Sequence, residues 1–568
     1  MVNLGPSGRC HTCRERRVKC DEAKPECHRC IKADRNCGGY EKLPRPFKIQ
    51  DQTYKFCRAS PRPADTGSGK AGTPDRGRPS ISPLSSTVPF GPENDAVSFF
   101  LGDCLGGRSF DSSHGLFEVI MPLLNSEPKD SALSTAVASV ASKYFVLWTE
   151  GPKAFLLPDK SLNHSLARLR AAIQDPAQRS QPSTILAALI LHWYENVSSV
   201  FGGRKVLRHH YNGALSLLPV AEYMPEQTTA GSWTGYMARY LIHLEVSLAL
   251  REGRPLSERT LAQAKARHAT VMPNPSSILD DLGADIADLR FRFIRMSKLK
   301  AQSVSHTSRT IWFNDALKTH LGLLAWAECA PADWLPLRLR SDLDFDPSIS
   351  SYMKMCDVYP SCQIASVWNL WRWYRLLLLH MLLALQQGVS ISRYESEPAA
   401  IMSVADCQDA MQQTIDDICF SLPYFLGNRT RPSSIADFTN QAIEFPSHHS
   451  LPPGSPRRRR IETEHTLSKD EHERHVIAQG SWHSMGPLCR LLNLFAGEHG
   501  WVVTDALRIG QQDWICEQFL RVTTILRLPI EDFVDIEEVA ALDFGDARIS
   551  AGYIALKLHE GLNIIGGT

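Results

Sequence analysis

Six of the fifteen cysteines fall in one short window, as Cys10-x2-Cys13-x6-Cys20-x6-Cys27-x2-Cys30-x6-Cys37. The pattern is one half, C-x2-C-x6-C, written twice. A C-x2-C step lets two sulfurs grip one metal ion from a tight turn. Two tetrahedral zinc ions need eight bonds while six thiolates offer six, so two sulfurs must each bridge both ions. The repeat nominates Cys10 and Cys27. One ion then takes Cys10, Cys13, Cys20 and Cys27, and the other takes Cys10, Cys27, Cys30 and Cys37. A closed thiolate set leaves no position for water or substrate, so this zinc is structural. His11 and His28 lie inside the C-x2-C steps, where ligation would strain the turn. A disulfide scaffold is the competing reading. It is disfavoured because Met1 to Arg9 is short, polar and unlike a signal peptide, which places the chain inside the cell.

Charge points the same way. Residues 1–58 hold 14 Lys or Arg against 7 Asp or Glu, so the rest of the chain carries about −6 of an overall +1. Two zinc ions among six thiolates leave two surplus negative charges that a small module cannot bury uncompensated. Arg14, Arg16, Arg17 and Lys19 in the first half, with Arg29, Lys32 and Arg35 in the second, offset the cluster and can reach phosphates.

This window resembles the fungal binuclear zinc cluster (Zn2Cys6) family. The resemblance implies a short helix and an extended strand in each half, with the helix following the first C-x2-C entering the DNA major groove at CGG-like half-sites. The family's basic segment falls on Arg14-Glu15-Arg16-Arg17-Val18-Lys19. Arg16 and Arg17 stand at base-reading positions, Arg14 and Lys19 at backbone-contacting ones. Where many members have Lys, Arg17 offers a fork suited to guanine O6 and N7. Pro25 matches the family's inter-half proline, and Gly38 replaces a common proline at the boundary. The DNA-binding domain is expected to span 1–42.

Relatives often continue into a coiled coil that sets half-site spacing. Residues 43–92 instead contain Pro44, Pro46, Pro61, Pro63, Pro74, Pro79, Pro83, Pro89 and Pro92 among many Gly and Ser, a composition that blocks a continuous helix. A flexible linker is expected over 43–92, and any self-association must come from the region downstream.

From 93 to 568 the expectation is a large all-α domain. Leu116, Val119, Ile120, Leu123 and Leu124 recur at helical spacing, as do Leu133, Val137, Val140, Ala141 and Tyr144. Further helices are predicted over 161–173, 183–195, 204–218, 233–250, 279–299, 363–387, 404–420, 481–496 and 512–528. The apolar stretch Val367 to Leu385 is interrupted by Arg372, Arg375 and His380, so a buried helix is expected there and no membrane span. Phe117 to Leu124, Ala136 to Ser142 and Arg208 to Leu218 resemble the helical regulatory domain of fungal zinc cluster regulators, second subfamily.

A disordered loop is expected near 430–475. Within it, Arg457-Arg458-Arg459-Arg460 reads either as a nuclear import signal or as solvated surface. Glu531 to Val539 mixes acids with apolar residues, as activation segments do, although a docked amphipathic helix is the stronger reading.

Catalytic motifs are decoys. Asp65-Thr66-Gly67 and Gly67-Ser68-Gly69-Lys70 sit in the linker with no flanking apolar strand. His472-Glu473-Arg474-His475 has one residue too few between its histidines for a zinc protease helix. There is no G-x-S-x-G elbow. The composition, 43% hydrophobic and 22% charged, is that of a folded chain. The sequence reads as a non-enzymatic nuclear transcription factor of the RNA polymerase II type, with double-stranded DNA and the transcription machinery as partners. The alternative is a helical interaction or ligand-sensing protein whose zinc cluster binds protein or non-specific DNA.

Overall fold

A computed structural model describes residues 10–21, 23, 26–38, 92–104, 116–202, 208–218, 229–258, 260–262, 273–298, 306–388, 403–463, 466–529 and 547–561. The linker before Pro92, with the decoys inside it, and the acidic stretch Glu531 to Val539 lie outside these residues. The chain divides into two units, Met1–Ser86 and Thr87–Thr568.

The small unit contains two one-turn helices, α1 (His11–Glu15) and α2 (His28–Lys32). Its interior is the six cysteines, with Val18 packed against them. A core of sulfur in place of hydrocarbon is what metal-dependent modules of this size use, since so short a segment cannot bury enough apolar surface to order itself.

The large unit is helical, as expected. Its elements run α3 (Pro92–Phe99, continued by a π turn), α4 (Leu116–Ser126), α5 (Ala132–Thr149), α6 (Pro152–Phe155), α7 (Lys160–Gln174), α8 (Pro182–Gly202), α9 (His209–Leu217) and α10 (Thr229–Glu252). Then come α11 (Pro275–Lys298), α12 (His306–Glu328), β1 (Leu337–Arg340), β2 (Met355–Val358), α13 (Cys362–Gly388) and α14 (Val404–Leu426). The last are α15 (Pro456–Arg459), α16 (Lys469–Ala496), α17 (Trp501–Thr504), α18 (Gln511–Ile525) and α19 (Ala547–Gly561).

Helix α13 is central, packed against α11, α12, α14 and α16. It contains the stretch Val367 to Leu385, whose Arg372 is handled by pairing. Arg372 is buried and donates to Tyr359 Oη (2.8 Å) and Asn369 Oδ1 (2.9 Å), with Asp357 Oδ2 at 3.3 Å. Asp357 also receives Arg338 through two hydrogen bonds of 2.7 and 2.8 Å, so one carboxylate ties the hairpin to the helix. Four buried indoles are likewise satisfied: Trp312 donates to Leu289 O, Trp326 to Pro275 O, Trp368 to Trp334 O and Trp371 to Leu323 O. No helix among the described residues is long and apolar enough to cross a membrane.

Several elements exceed the sequence expectation, α3, α6, α17 and α19 among them, and three show why. Helix α12 is read poorly because Ile311 and Leu321 are exposed while Trp312, Ala316, Leu323 and Trp326 are buried, which blurs its apolar stripe. The antiparallel hairpin pairs Leu337 with Val358 and Arg340 with Met355, and β1 alternates buried and exposed residues. Helix α16 begins well before 481, because Ser468 and Glu471 form a capping box.

The disordered loop expected near 430–475 is corrected by the structure. Arg429 anchors it, donating to Ser433 Oγ (2.6 Å), Asp437 Oδ2 (2.9 Å) and Ile477 O (3.1 Å). Ser434 and Asp437 form a second capping box, and Phe445, Leu451 and Ile461 are buried. The polar residues that suggest disorder are spent on local caps. The basic run is not a plain loop either. Ser455 caps the turn α15, Arg457 pairs with Asp344 and donates to Arg338 O, Arg458 pairs with Glu462, and Arg460 donates to Pro336 O.

Candidate zinc cluster and nucleic-acid interface

The two C-x2-C steps build the same local structure at an offset of 17 residues. In each, the first sulfur accepts the backbone N–H of the second cysteine: Cys13 N to Cys10 Sγ and Cys30 N to Cys27 Sγ, both 3.3 Å. That bond caps the following helical turn as a Ser or Asp oxygen would. Each turn ends with a left-handed residue, Arg17 (φ 51°) and Asp34 (φ 49°). The next N–H reaches back to the second cysteine's carbonyl, Val18 N to Cys13 O (3.1 Å) and Arg35 N to Cys30 O (3.0 Å). This closure reverses the chain and returns it to the third cysteine of its half.

The sulfurs converge as the spacing requires. Cys10, Cys13, Cys20 and Cys27 form one tetrad and Cys10, Cys27, Cys30 and Cys37 the other, each with its sulfurs within 4.8 Å of one another. Cys10 and Cys27 belong to both. Their sulfurs are 3.6 Å apart, Cys13 to Cys27 is 3.7 Å and Cys10 to Cys30 is 3.8 Å. Zinc–sulfur bonds of about 2.3 Å in a tetrahedron give edges of about 3.8 Å, whereas a disulfide would need about 2.05 Å. The donor set therefore fits two zinc ions with shared thiolates. Burial pushes the Cys10 thiol up to about 12 and raises Cys13 and Cys27 as well. Thiolates at these positions need a cation beside them, which two zinc ions supply.

Of the basic residues singled out, Arg14 lies within α1, and Arg16, Arg17 and Lys19 are exposed in the turn and strand that follow. Here the structure departs from the expected helix after the first C-x2-C. Helix α1 begins inside that step and stops at Glu15, so Arg16 and Arg17 are presented by the chain reversal.

Two residues escaped the sequence reading. Thr12 Oγ1 accepts from Gly38 N (2.8 Å) and donates to Asn36 O (3.1 Å), fastening the first half to the end of the second. Gly38 must supply an N–H for this, which the proline common at that position lacks. Asp21 accepts from His28 N at 3.0 Å and has His28 Nδ1 at 3.0 Å. Burial opposes ionisation of Asp21, but its hydrogen bonds outweigh that and hold the carboxyl below the ordinary range. Asp21 thus holds α2 from its N-terminal side. An acid directly after the third cysteine was the available signal.

Residues 9–46 match the fungal Zn(2)-Cys(6) binuclear cluster domain. The N-terminal unit carries a domain of this family, which binds two zinc ions. The chain is 62% identical across 37 residues to an uncharacterized transcriptional regulatory protein of Schizosaccharomyces pombe, covering 6% of this chain and 7% of that one. It is 61% identical across 31 residues to the transcriptional regulatory protein moc3 of the same yeast, 6% of each chain. It is 59% identical across 34 residues to the aspercryptin biosynthesis cluster-specific transcription regulator atnN of Emericella nidulans, again 6% of each. The similarity to these relatives thus spans less than a tenth of their length. No solved structure matches the chain.

Proposed function

We propose that this protein is a nuclear regulator of RNA polymerase II transcription that binds double-stranded DNA at CGG-like sites through its zinc cluster. The observation that carries the reading is the cluster itself: two cysteine tetrads fix a chain reversal on which Arg16, Arg17 and Lys19 stand exposed. Arg16 and Arg17 are assigned to base edges, Arg14 and Lys19 to phosphates. The relatives named above, all transcriptional regulators, support the assignment. The helical unit is assigned the regulatory role and any self-association. Arg457, Arg458 and Arg460 are held to the hairpin region and to Glu462, which favours the cationic cluster over that run as the import determinant.

The test is fluorescence anisotropy of the zinc-loaded full chain with duplexes carrying one CGG, two CGG in each relative orientation, or a scrambled site. Preference for CGG that chelation abolishes is the expected result, with steep weakening as salt rises. Equal weak binding to every duplex, with zinc present, would refute CGG recognition and favour an interaction module.

A further inference from the structure

Several buried histidines of the large unit have one ring nitrogen paired. His243 Nδ1 lies 2.7 Å from Asp280, His483 Nδ1 lies 2.5 Å from Ser366 Oγ, and His475 Nε2 lies 3.2 Å from Gln363 Oε1. One cluster breaks the pattern. His448 and His472 are buried, and both ring nitrogens of each have no hydrogen-bond partner among the described residues; nor has Nε2 of His449. The rings of His448 and His449 lie 4.0 Å apart, and His472 is 6.1 Å from the first and 5.9 Å from the second. Orphaned polar groups inside a protein are rare, and a cluster of them calls for an occupant.

The donors are convergent as well as unpaired. One nitrogen from His448, one from His449 and one carboxylate oxygen of Glu462 lie within 4.8 Å of one another. We infer that His448, His449 and Glu462 bind a divalent transition metal ion of the zinc class, at a site in the helical unit separate from the cysteine cluster, with His472 beside it. Two imidazoles and one carboxylate form a set suited to such ions, and it leaves coordination positions for water or for His472.

The surroundings are arranged to hold these groups. Ser447 Oγ accepts from His449 N and caps the short turn that presents both histidines. Arg458 pairs through Nε with one oxygen of Glu462, leaving the other, and donates to Leu451 O at 3.1 Å. A ligating carboxylate oriented by a second residue is the usual outer-shell arrangement. Glu462 is exposed, which gives a metal ion its entry. An ion there would clamp the segment 447–462 near the first turns of α16, which packs against α13, α14, α18 and α19.

The experiment counts metal on the full chain. Protein equilibrated with excess Zn(II) and desalted is expected to hold three zinc ions per chain. Glu462→Gln and His449→Gln are each expected to hold two, the pair kept by the cysteines. Glu462→Gln alters an exposed group, so its circular dichroism should match the parent. With Co(II), the near-ultraviolet thiolate charge-transfer bands should be equal in all three proteins, while weaker visible bands from nitrogen and oxygen ligation disappear in the variants. Two zinc ions per chain in the parent, or three retained in both variants, would overturn the assignment and leave the cluster to packing or buried water.

Discussion

The shared sulfurs make a prediction about unequal cysteines. A structural zinc site contributes on the order of 10–16 kcal/mol, or roughly 3–4 kcal/mol for each of its four ligands. Cys20 belongs to one tetrad and Cys27 to both. Cys20→Ala therefore removes one bond, and Cys27→Ala removes two, about 6–8 kcal/mol. Cys27 also caps α2 through the 3.3 Å bond from Cys30 N, a contribution of about 1 kcal/mol. The gap between the variants is then roughly 4–5 kcal/mol, on the order of a thousandfold in zinc retention. The assay is titration of each variant with a chromophoric chelator, in the Glu462→Gln background so that only cysteine-held zinc is counted. Cys20→Ala should release one ion early and hold the second closer to the parent. Cys27→Ala should release both together at far lower chelator concentration. Matching release curves for the two variants would refute the shared-ligand reasoning.

Arg17→Asn keeps a residue that tolerates the left-handed turn while removing the guanidinium; it should weaken binding to a CGG duplex by about 1–3 kcal/mol and hardly affect a scrambled one, and equal losses on both would sink the base-reading role. Gly480 of α16 lies where a Cβ would come within 2.2 Å of Phe425 O, so Gly480→Ala should lower stability by about 3 kcal/mol in urea denaturation; a shift below about 0.5 kcal/mol would mean the helices separate freely. Burial lowers His320 and His380 to about 4 and His483 to about 3. Because the unfolded chain binds more protons between those values and about 6.5, this stabilisation is complete above pH 6.5 and is lost on acidification through the window, so the thermal midpoint should fall from pH 7 to pH 4. A midpoint unchanged across that range would contradict the burial of neutral imidazoles.

The cysteine tetrads were legible because metal ligation fixes both residue type and spacing: Cys10 and Cys27 could be named as bridges by counting bonds. Much of the helical unit was legible for a different reason, since one-sided burial writes a 3.6-residue period into α5 and α7, whereas α13, buried on nearly every side, reads as one long apolar run. Helix α12 was not, because apolar residues lie on its exposed side too. The segment 430–475 misled because Ser434, Asp437 and Asn428 carry the composition of a loop, while the order comes from Arg429 reaching Ile477, a contact no local pattern encodes. Thr12 was invisible for the same reason, since it acts on a backbone group across the cluster, and Asp21 had its place after the third cysteine as its one signal. One member of the histidine cluster, His472, lay in view, yet His448, His449 and Glu462 come from a segment read as disordered.

The 17-residue offset between the halves makes them equivalent in shape, so what distinguishes them is chemistry alone. Carried forward by 17, Arg14, Arg16, Arg17 and Lys19 become Ile31, Ala33, Asp34 and Asn36. The second reversal thus puts a carboxylate where the first puts a guanidinium, and a polyanion approaching it meets repulsion at the same backbone position. The fold supplies two like-shaped handles and the side chains grade them: Arg29, Lys32 and Arg35 keep the second cationic around Asp34, but its reversal carries no guanidinium there. On the reading proposed above, a single chain reads bases with one polarity, so an inverted pair of triplets demands two chains.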